Sequence, residues 1–178
     1  MDIKAFAHTI DPETGALSGP FRETRRTIAD LKGHFAAEGA PETLVYIVLE
    51  PVEQQNRDMT YAVTVLMPGK VGAEYFMTKG HFHKRNDAGE VYYCLRGNGL
   101  VLLQSRLGIV ETIEMRPNGV VYVPPATAHR TVNTGAERLV FVAFYSPDAG
   151  HDYDSIAKSG FVKRVVENEG RPALVDAG

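Results

Sequence analysis

The feature that most constrains the fold of this chain is a succession of short β-branched and aromatic segments separated by turn signals. The segments are 44–50, 61–67, 74–78, 91–97, 100–106, 109–115, 120–124 and 138–146. Pro-Gly, Gly-Asn-Gly and Pro-Asn-Gly sequences stand between them, and these are typical of tight turns. Strands at this spacing predict an all-β antiparallel sandwich or barrel, because parallel strands would need crossover helices between them.

The two ends of the chain differ from this strand-rich middle. Residues 1–43 are expected to form an N-terminal arm of the same domain, followed by a barrel over 44–167 and a tail over 168–178. In the arm, Ile28, Leu31 and Phe35 recur at helical spacing before a Gly-Ala-Pro stop, which predicts a short amphipathic helix. Segment 161–167 is predicted to be one more strand, and the last ten residues are expected to fray.

Composition excludes several classes of function. The formal net charge of −3 argues against a nucleic-acid partner, and the single cysteine, Cys94, excludes an internal disulfide and a thiolate zinc site. The longest apolar run, Leu139–Tyr145, is far shorter than the roughly 20 residues that span a bilayer. The N-terminus lacks the basic and apolar regions of a signal peptide. We therefore expect a cytoplasmic protein without a membrane partner.

Histidine and acidic residues form one pattern that carries chemistry. His81 and His83 are an H-x-H pair, so both imidazoles would project from one face of an extended strand. Glu90 begins the next strand, and His129 follows a proline-rich turn. Taken singly, an H-x-H pair is often exposed and a histidine after a turn is often structural. Three imidazoles and one carboxylate together suit a divalent metal with open coordination positions, provided that they converge inside the barrel.

The residues around this pattern resemble two cupin motifs. G-H-F-H, Glu90 and Gly97 are similar to the first motif, although its usual gap between histidine and glutamate is shorter. Pro124, His129 and Asn133 are similar to the second, with Ala126 in the place of a glycine. The longer gap between His83 and Glu90 is found in one branch of the cupins, the cupin-type glucose-6-phosphate isomerases. The sequences T-K-G-H-F-H, E-V-Y and G-N-G resemble that branch. Segments 120–133 and 144–161 also resemble that family, and the likeness covers roughly residues 44–166.

This resemblance implies a fold, a metal site and a reaction. The implied fold is the cupin double-stranded β-helix, a jelly-roll barrel, here with an N-terminal arm that carries the short helix. The implied ligands are His81, His83, Glu90 and His129, and the metal in that family is most often Fe²⁺, with Mn²⁺, Ni²⁺ or Zn²⁺ as alternatives that ligand chemistry alone does not separate. The implied reaction interconverts glucose 6-phosphate and fructose 6-phosphate through a cis-enediol(ate) with Glu90 as base, and a hydride shift is the competing mechanism.

The resemblance also places residues around a phosphosugar. The substrate-binding residues it implies are Thr64, Thr78, the Gly80 backbone, Tyr92, Tyr145 and Tyr153. It assigns His151 and Tyr153 to catalysis near the sugar, although His-Asp-Tyr could equally be a plain turn. Alternation along the strand predicts that Tyr92 and Cys94 face inward with Glu90, and Cys94 is expected to pack rather than react. The plain alternatives are an exposed strand position for Thr64 and a core tyrosine for Tyr92.

Several interpretations remain open at this level. Lys79 and Arg85 flank the first motif and are expected to be solvated, as are His8 and His34. The same ligand set also serves cupin dioxygenases and oxidases, or a non-catalytic sugar-binding cupin, because a fold does not fix a function. The family implies a homodimer, with the N-terminal arm covering a sheet edge, and a place in glycolysis and gluconeogenesis.

Overall fold

The computed structural model describes residues 5–52 and 59–177, and most of them lie in short strands. The strands are β1 (Phe21–Thr27), β2 (Leu44–Pro51), β3 (Thr60–Leu66), β4 (Lys70–Val71), β5 (Glu74–Tyr75), β6 (Phe82–His83), β7 (Glu90–Arg96), β8 (Gly99–Ser105), β9 (Val110–Met115), β10 (Val120–Val123), β11 (Thr127–Asn133), β12 (Leu139–Tyr145), β13 (His151–Asp152), β14 (Lys163–Asn168) and β15 (Arg171–Asp176). One α-helix, α1 (Tyr153–Ser159), and the 3-10 turns Ala29–Leu31 and Pro147–Ala149 complete the described elements. The all-β prediction is confirmed.

The strands form two principal sheets that enclose a common core. The larger sheet has the order β1-β2-β3-β12-β7-β10, and β11-β8-β9 form the sheet that faces it. Both are antiparallel throughout, as the turn-rich sequence predicts. Leu66, Val101, Leu103, Met115 and Phe141, from strands of both sheets, are buried in one cluster. None of the helices in the described ranges is long and apolar enough to cross a membrane.

The chain passes from the first sheet to the second at Gly97, between β7 and β8. Gly97 has a φ of 80°, and a Cβ added there would lie 2.4 Å from the carbonyl oxygen of Arg138. That obstacle is backbone, which cannot rotate away as a side chain would. The glycine is therefore required by both conformation and space.

We expect Gly97→Ala to lower the free energy of unfolding by about 3 kcal/mol or more, since strain at a positive φ adds to the backbone clash. Gly170→Ala is the matched control, because Gly170 has a φ of 75° with nothing within 4 Å of an added Cβ. That control should lose only about 1–2 kcal/mol from conformational strain. Guanidinium denaturation of both variants gives the comparison, and equal losses would contradict the clash.

The short amphipathic helix predicted in the N-terminal arm is present only as the 3-10 turn Ala29–Leu31. Phe21–Thr27 instead forms β1, which pairs with β2 along its whole length and covers the edge of that strand. Ile28, Leu31 and Phe35 follow directly after β1, and the few residues left for a helix there are too short a segment to be stable in water. Leu31 and Phe35 are nevertheless buried in the core, as expected for the apolar face of the predicted helix.

The C-terminal tail is ordered rather than frayed over its described part. β14, which confirms the strand predicted near 161–167, turns at Glu169 and Gly170 and pairs with β15. Both turn residues have positive φ values, 51° and 75°, as a tight two-residue hairpin requires. The Asn-Glu-Gly turn signal between two strand-forming segments was missed in the sequence.

Candidate active site

Four residues that are remote in the sequence meet inside the barrel. His81 and His129 are held side by side by two backbone hydrogen bonds: the amide of His129 donates to the carbonyl of His81 over 3.1 Å, and the reverse bond is 3.2 Å. His83 lies in β6, and Glu90 begins β7 in the larger sheet. One ligand atom from each of the four lies within 4.8 Å of the others. The four side chains therefore converge inside the barrel, as the predicted metal site requires.

Strand geometry explains this convergence. His81 and His83 project to the same side, with ring centroids 5.4 Å apart, as expected for alternate residues of an extended segment. His129 lies inside β11, a strand that the sequence analysis did not identify, since it placed a turn immediately before this histidine. Ala126, immediately before β11, has a positive φ of 56°, which glycine adopts without strain. This conformation explains why the second cupin motif has a glycine at the position of Ala126.

Backbone carbonyl groups orient two of the imidazoles. Nδ1 of His83 lies 3.0 Å from the carbonyl oxygen of Ala88, and Nδ1 of His129 lies 3.2 Å from that of Thr127. Donation from Nδ1 to these oxygens turns Nε2 toward the cluster, where it can donate to Glu90 when protonated and bind a metal when it is not. The Nε2 atoms of His81 and His129 are buried without a hydrogen-bond partner. Such atoms are costly unless another group occupies the space between them.

Glu90 carries the negative charge of the cluster. Its Oε2 lies 3.1 Å from Nε2 of His129 and 3.3 Å from Nε2 of His83, although the former contact lacks hydrogen-bond geometry. Burial alone would raise the pKa of Glu90, but these contacts outweigh it and lower the pKa to about 2. Burial also lowers the pKa of His81 well below its ordinary value, helped by the neighbouring imidazoles. The ionised carboxylate and a neutral imidazole are the forms that bind metals.

The four residues fit a divalent metal ion. The donor set is three imidazole nitrogens and one carboxylate oxygen, which suits first-row ions and leaves coordination positions open. The buried, unpartnered Nε2 atoms of His81 and His129 support this fit independently of the residue types.

The cluster opens into a cavity of about 280 Å³, which is near the lower end of the size typical of small-molecule sites. One face of the larger sheet forms its wall, because alternate residues of neighbouring strands stand in register. Val48 pairs with Thr64, Thr64 with Phe141, and Tyr145 with Glu90. The wall is therefore built by five adjacent strands, β1, β2, β3, β12 and β7.

The structure brings the substrate residues predicted from the sequence to this cavity. Among the residues that line it are Thr64, Thr78, Gly80, Tyr92, Tyr145, His151 and Tyr153, together with His81, Glu90 and His129. Thr64 is only 6% exposed, so the alternative of an exposed strand position is wrong. Cys94 is fully buried, and burial raises its pKa to about 11, which makes it a packing residue as predicted.

Tyr92 and Glu90 face inward together, as strand alternation predicts. The hydroxyl of Tyr92 donates to Oε2 of Glu90 over a long 3.4 Å. Burial raises the pKa of Tyr92 well above its ordinary value, and the charge of Glu90 adds to the shift. Tyr92 therefore stays a hydrogen-bond donor at neutral pH.

His151 and Tyr153 stand at the mouth of the cavity. Their rings stack with centroids 5.6 Å apart, and the ring of His151 lies 4.4 Å from that of His81. His151 is exposed, yet desolvation by the surrounding protein lowers the pKa of its imidazole. The His-Asp-Tyr segment is more than a turn, because β13 pairs with β6 at His151–His83 and Asp152 caps α1.

Two expectations about surface residues are wrong. Lys79 lines the cavity, with its Nζ 4.9 Å from the ring centroid of Tyr153. His34 is half-buried beside Arg130, and His8 is also half-buried, with Nδ1 2.6 Å from the hydroxyl of Tyr61. Both histidines are buried by tertiary contacts that leave no local sequence pattern. Arg85 is solvated as expected and pairs with Asp87 and Asp148.

The charged residues that β1 and β2 add to the cavity were not predicted from the sequence. Arg22, Thr24 and Arg26 are alternate residues of β1, and Tyr46, Val48 and Glu50 are alternate residues of β2. Nη2 of Arg22 lies 2.8 Å from Glu50, and the hydroxyl of Tyr145 donates to the same carboxylate over 3.3 Å. The period-two pattern R-x-T-x-R was the available signal, and the helical interpretation of this segment hid it.

The sequence comparisons give one consistent result. The family described as Glucose-6-phosphate isomerase (GPI) matches residues 25–175. A glucose-6-phosphate isomerase of Thermococcus gammatolerans is 48% identical over 180 residues, which cover 97% of this chain and 95% of that protein. That of Pyrococcus furiosus is 48% identical over 184 residues, with 99% and 97% covered.

Comparison with solved structures supports the fold. An oxalate decarboxylase of Lactobacillus farciminis superposes with a TM-score of 0.51 at 19% identity, covering 65% of this chain and 33% of that one. A Bacillus subtilis oxalate decarboxylase, studied for its Mn(II) centres, gives a TM-score of 0.50 at 24% identity, with 62% and 28% covered. This chain thus spans about a third of those proteins or less. At such identities the likeness shows the fold alone, and the predicted cupin barrel is confirmed.

Proposed function

The chain belongs to the glucose-6-phosphate isomerase family, and on that premise we propose that it interconverts glucose 6-phosphate and fructose 6-phosphate at the cluster formed by His81, His83, Glu90 and His129. The observation that carries this proposal is a buried three-histidine, one-glutamate cluster that opens into a cavity lined with hydroxyl and cationic side chains. A metal-binding cluster explains the unpartnered imidazoles, and the polar cavity suits a phosphorylated sugar better than an apolar substrate.

We propose that the four residues bind one divalent ion per subunit, with Fe²⁺ as the first candidate and Mn²⁺, Ni²⁺ or Zn²⁺ as the others. A bound ion of this kind would act as a Lewis acid toward the substrate's carbonyl group. His83 and His129 contribute by directing Nε2 toward the ion through their Nδ1 contacts with backbone carbonyl groups.

Glu90 is the proposed base. Its low pKa keeps the carboxylate ionised at neutral pH, so that it can take the proton from C2 of the open-chain aldose and return it to C1. The C2–H bond breaks, its electron pair forms the C1–C2 double bond of the enediol, and the π pair of the C1 carbonyl moves onto O1. A proton then passes from O2 to O1, the C2 carbonyl forms, and the C1–C2 π pair takes the proton held by Glu90, or one exchanged for it, to form the new C1–H bond. Tyr92 supports Glu90 by donating to its Oε2. In the alternative mechanism C2 passes a hydride directly to C1, and Glu90 carries no proton between carbons.

The remaining cavity residues are assigned to the ends of the substrate. Thr64, Thr78, the Gly80 backbone, Tyr145 and Tyr153 offer hydrogen-bond donors to the phosphate and sugar hydroxyls. Arg22, Arg26 and Lys79, on the same cavity, add positive charge that favours a phosphate dianion. We assign His151, with Tyr153, to proton movement at the sugar oxygens during ring opening, because an imidazole with a lowered pKa is neutral near pH 7 and can accept a proton.

Thr64→Val tests the assignment of Thr64 to substrate binding. The change keeps the shape of the side chain and removes the hydroxyl from the cavity wall. We expect KM for fructose 6-phosphate to rise about three- to tenfold with little change in kcat, which corresponds to one lost hydrogen bond. Thr112→Val, the same change on a half-buried position of β9 outside the cavity, is the control. An unchanged KM in Thr64→Val would remove Thr64 from the site.

A coupled assay that follows fructose 6-phosphate conversion by the metal-loaded protein tests the function itself. We expect turnover without oxygen consumption. Oxygen consumption with organic acids but no isomerisation would favour a cupin dioxygenase or oxidase instead. Sugar-phosphate binding without turnover in a fully metal-loaded sample would favour a non-catalytic sugar-binding cupin.

We further propose that the protein acts in the cytoplasm, in glycolysis and gluconeogenesis, as a homodimer. The reaction itself, an interconversion of two sugar phosphates, supports this setting. Analytical ultracentrifugation of the purified chain tests the dimer.

A further inference from the structure

A second cavity, of about 270 Å³, is lined by residues that pack against Gly80, which itself lines the substrate cavity. Arg130 and Phe161 line it and pack directly against Gly80, where an added Cβ would meet the Phe161 ring at 2.7 Å and Cβ of Arg130 at 3.0 Å. A guanidinium N–H of Arg130 also donates to the carbonyl oxygen of Lys79 over 2.8 Å. The two cavities therefore share one wall but have different linings.

The lining of this second cavity is strongly basic. Four cationic side chains face it, and no carboxylate is among its described lining residues; the cations are Lys32, Arg130, Lys163 and Arg164. Two of these have carboxylate partners outside the lining: Arg164 lies 3.1 Å from Glu74, and Lys163 lies 2.7 Å from Asp176. Within the described ranges, no carboxylate lies within ion-pair distance of Lys32 or Arg130. Neither of these two cations therefore has an ion-pair partner among the described residues, although Glu74 stabilises the charge of Arg130 at longer range.

Arg130 is the most unusual of these residues, because its charge is buried with neutral partners. The residue is only 4% exposed, and its guanidinium contacts the Met77 sulfur, the Lys79 carbonyl oxygen and the face of the Phe161 ring. Its Nε is buried without a hydrogen-bond partner. Burying an unpaired charge is expensive, so a nearby anion would stabilise this arrangement.

His34, which also lines the cavity, lies in the positive field of these residues. Burial lowers the pKa of His34 to about 4, and the charges of Arg130, Lys79 and Arg164 add to the shift. Its Nδ1 lies 3.4 Å from a guanidinium nitrogen of Arg130. The imidazole is therefore neutral at physiological pH, and it is placed to respond to any anion that enters.

We propose that this cavity is a second anion site, which binds a small anion of the inorganic phosphate or phosphomonoester class. Two cations without an ion-pair partner, Lys32 and Arg130, face the cavity, and the ammonium of Lys32 supplies donors of the type that binds phosphate oxygens. The site is separate from the substrate cavity and does not depend on the metal cluster.

The imidazole signal of His34 in the metal-loaded protein provides a local test, with inorganic phosphate as the probe at constant ionic strength. The signal is assigned by its absence in His34→Gln. We expect phosphate in the millimolar range to raise the pKa of His34 by about one unit or more, because a bound anion stabilises the imidazolium. Chloride at the same ionic strength should leave it unchanged.

Charge-removing variants localise the effect. Lys32 is exposed, so Lys32→Gln should fold normally, and it should raise the phosphate concentration at half-shift about tenfold. Lys163→Gln should act in the same direction, whereas Arg171→Gln, which removes an exposed charge outside the cavity, should have no effect.

The proposal is overturned if phosphate leaves the pKa of His34 unchanged, if chloride shifts it equally, or if Lys32→Gln and Lys163→Gln respond as Arg171→Gln does. The last result would assign the effect to phosphate in the substrate cavity.

Discussion

Replacing His129 with alanine is expected to lower isomerase turnover by about 10³-fold or more and to reduce the bound divalent metal to a small fraction of one per subunit. His129 is almost completely buried, its Nε2 has no hydrogen-bond partner, and its backbone is bonded to that of His81. Loss of the imidazole leaves three ligand atoms and removes the geometry that the Nδ1 contact with Thr127 imposes. Lewis-acid stabilisation is worth several kcal/mol, and about 1.4 kcal/mol corresponds to a factor of ten in rate.

His8→Ala is the control for this experiment, because His8 is a half-buried histidine outside both the cluster and the substrate cavity. It should keep full metal content and near-normal turnover. Exhaustive chelation of the unchanged protein should give the same loss as His129→Ala, and Fe²⁺ or Mn²⁺ should restore activity only to the chelated protein. Activity that survives complete chelation would contradict the metal-dependent mechanism.

Local sequence patterns were sufficient for most of the longer strands, though not for β1, β11 and β15, and for the members of the cluster. Alternation in 91–97 correctly placed Glu90, Tyr92 and Cys94 on the inner face, since side chains in a strand follow a period of two. The H-x-H pair was informative for the same reason. In each case the property that mattered was encoded within a few consecutive residues.

The parts that could not be read from the sequence depend on tertiary pairing. β1 is a strand because β2 offers it an open edge, and that partner begins 17 residues beyond the end of β1. The cationic residues Arg22 and Arg26 reach the substrate cavity only through this pairing. Helical spacing of three apolar residues favoured the wrong element, because a short window does not contain the competing strand.

The second cavity illustrates the same limit. Its basic residues come from positions 32, 130, 163 and 164, and no segment of the sequence is unusually basic. With a net charge of −3, the whole chain gives no indication of a concentrated positive field. Only the packing of β11 against the arm and β14 brings these charges together.

Glu90→Gln is expected to lower kcat by about 10²–10⁴-fold, which is the usual contribution of a general base, and to change the dissociation constant for fructose 6-phosphate by less than about tenfold. Glutamine keeps the size of the side chain and an oxygen for metal binding, but it cannot carry a proton between C2 and C1. The three imidazoles remain in place, so the variant should retain most of its metal, and its metal content must be measured with its rate.

Two comparisons separate a role as base from a role as ligand. Tyr92→Phe removes only the 3.4 Å hydrogen bond to Glu90, so its kcat should fall by no more than about tenfold. Turnover of the unchanged protein in D₂O should introduce deuterium at the transferred position, because a proton held by the carboxylate can exchange with solvent before it is returned. Near-normal turnover in metal-loaded Glu90→Gln would move the proton transfer to another group. A large loss in Glu90→Gln without deuterium incorporation in the unchanged protein would instead favour the hydride shift, with Glu90 acting through its negative charge.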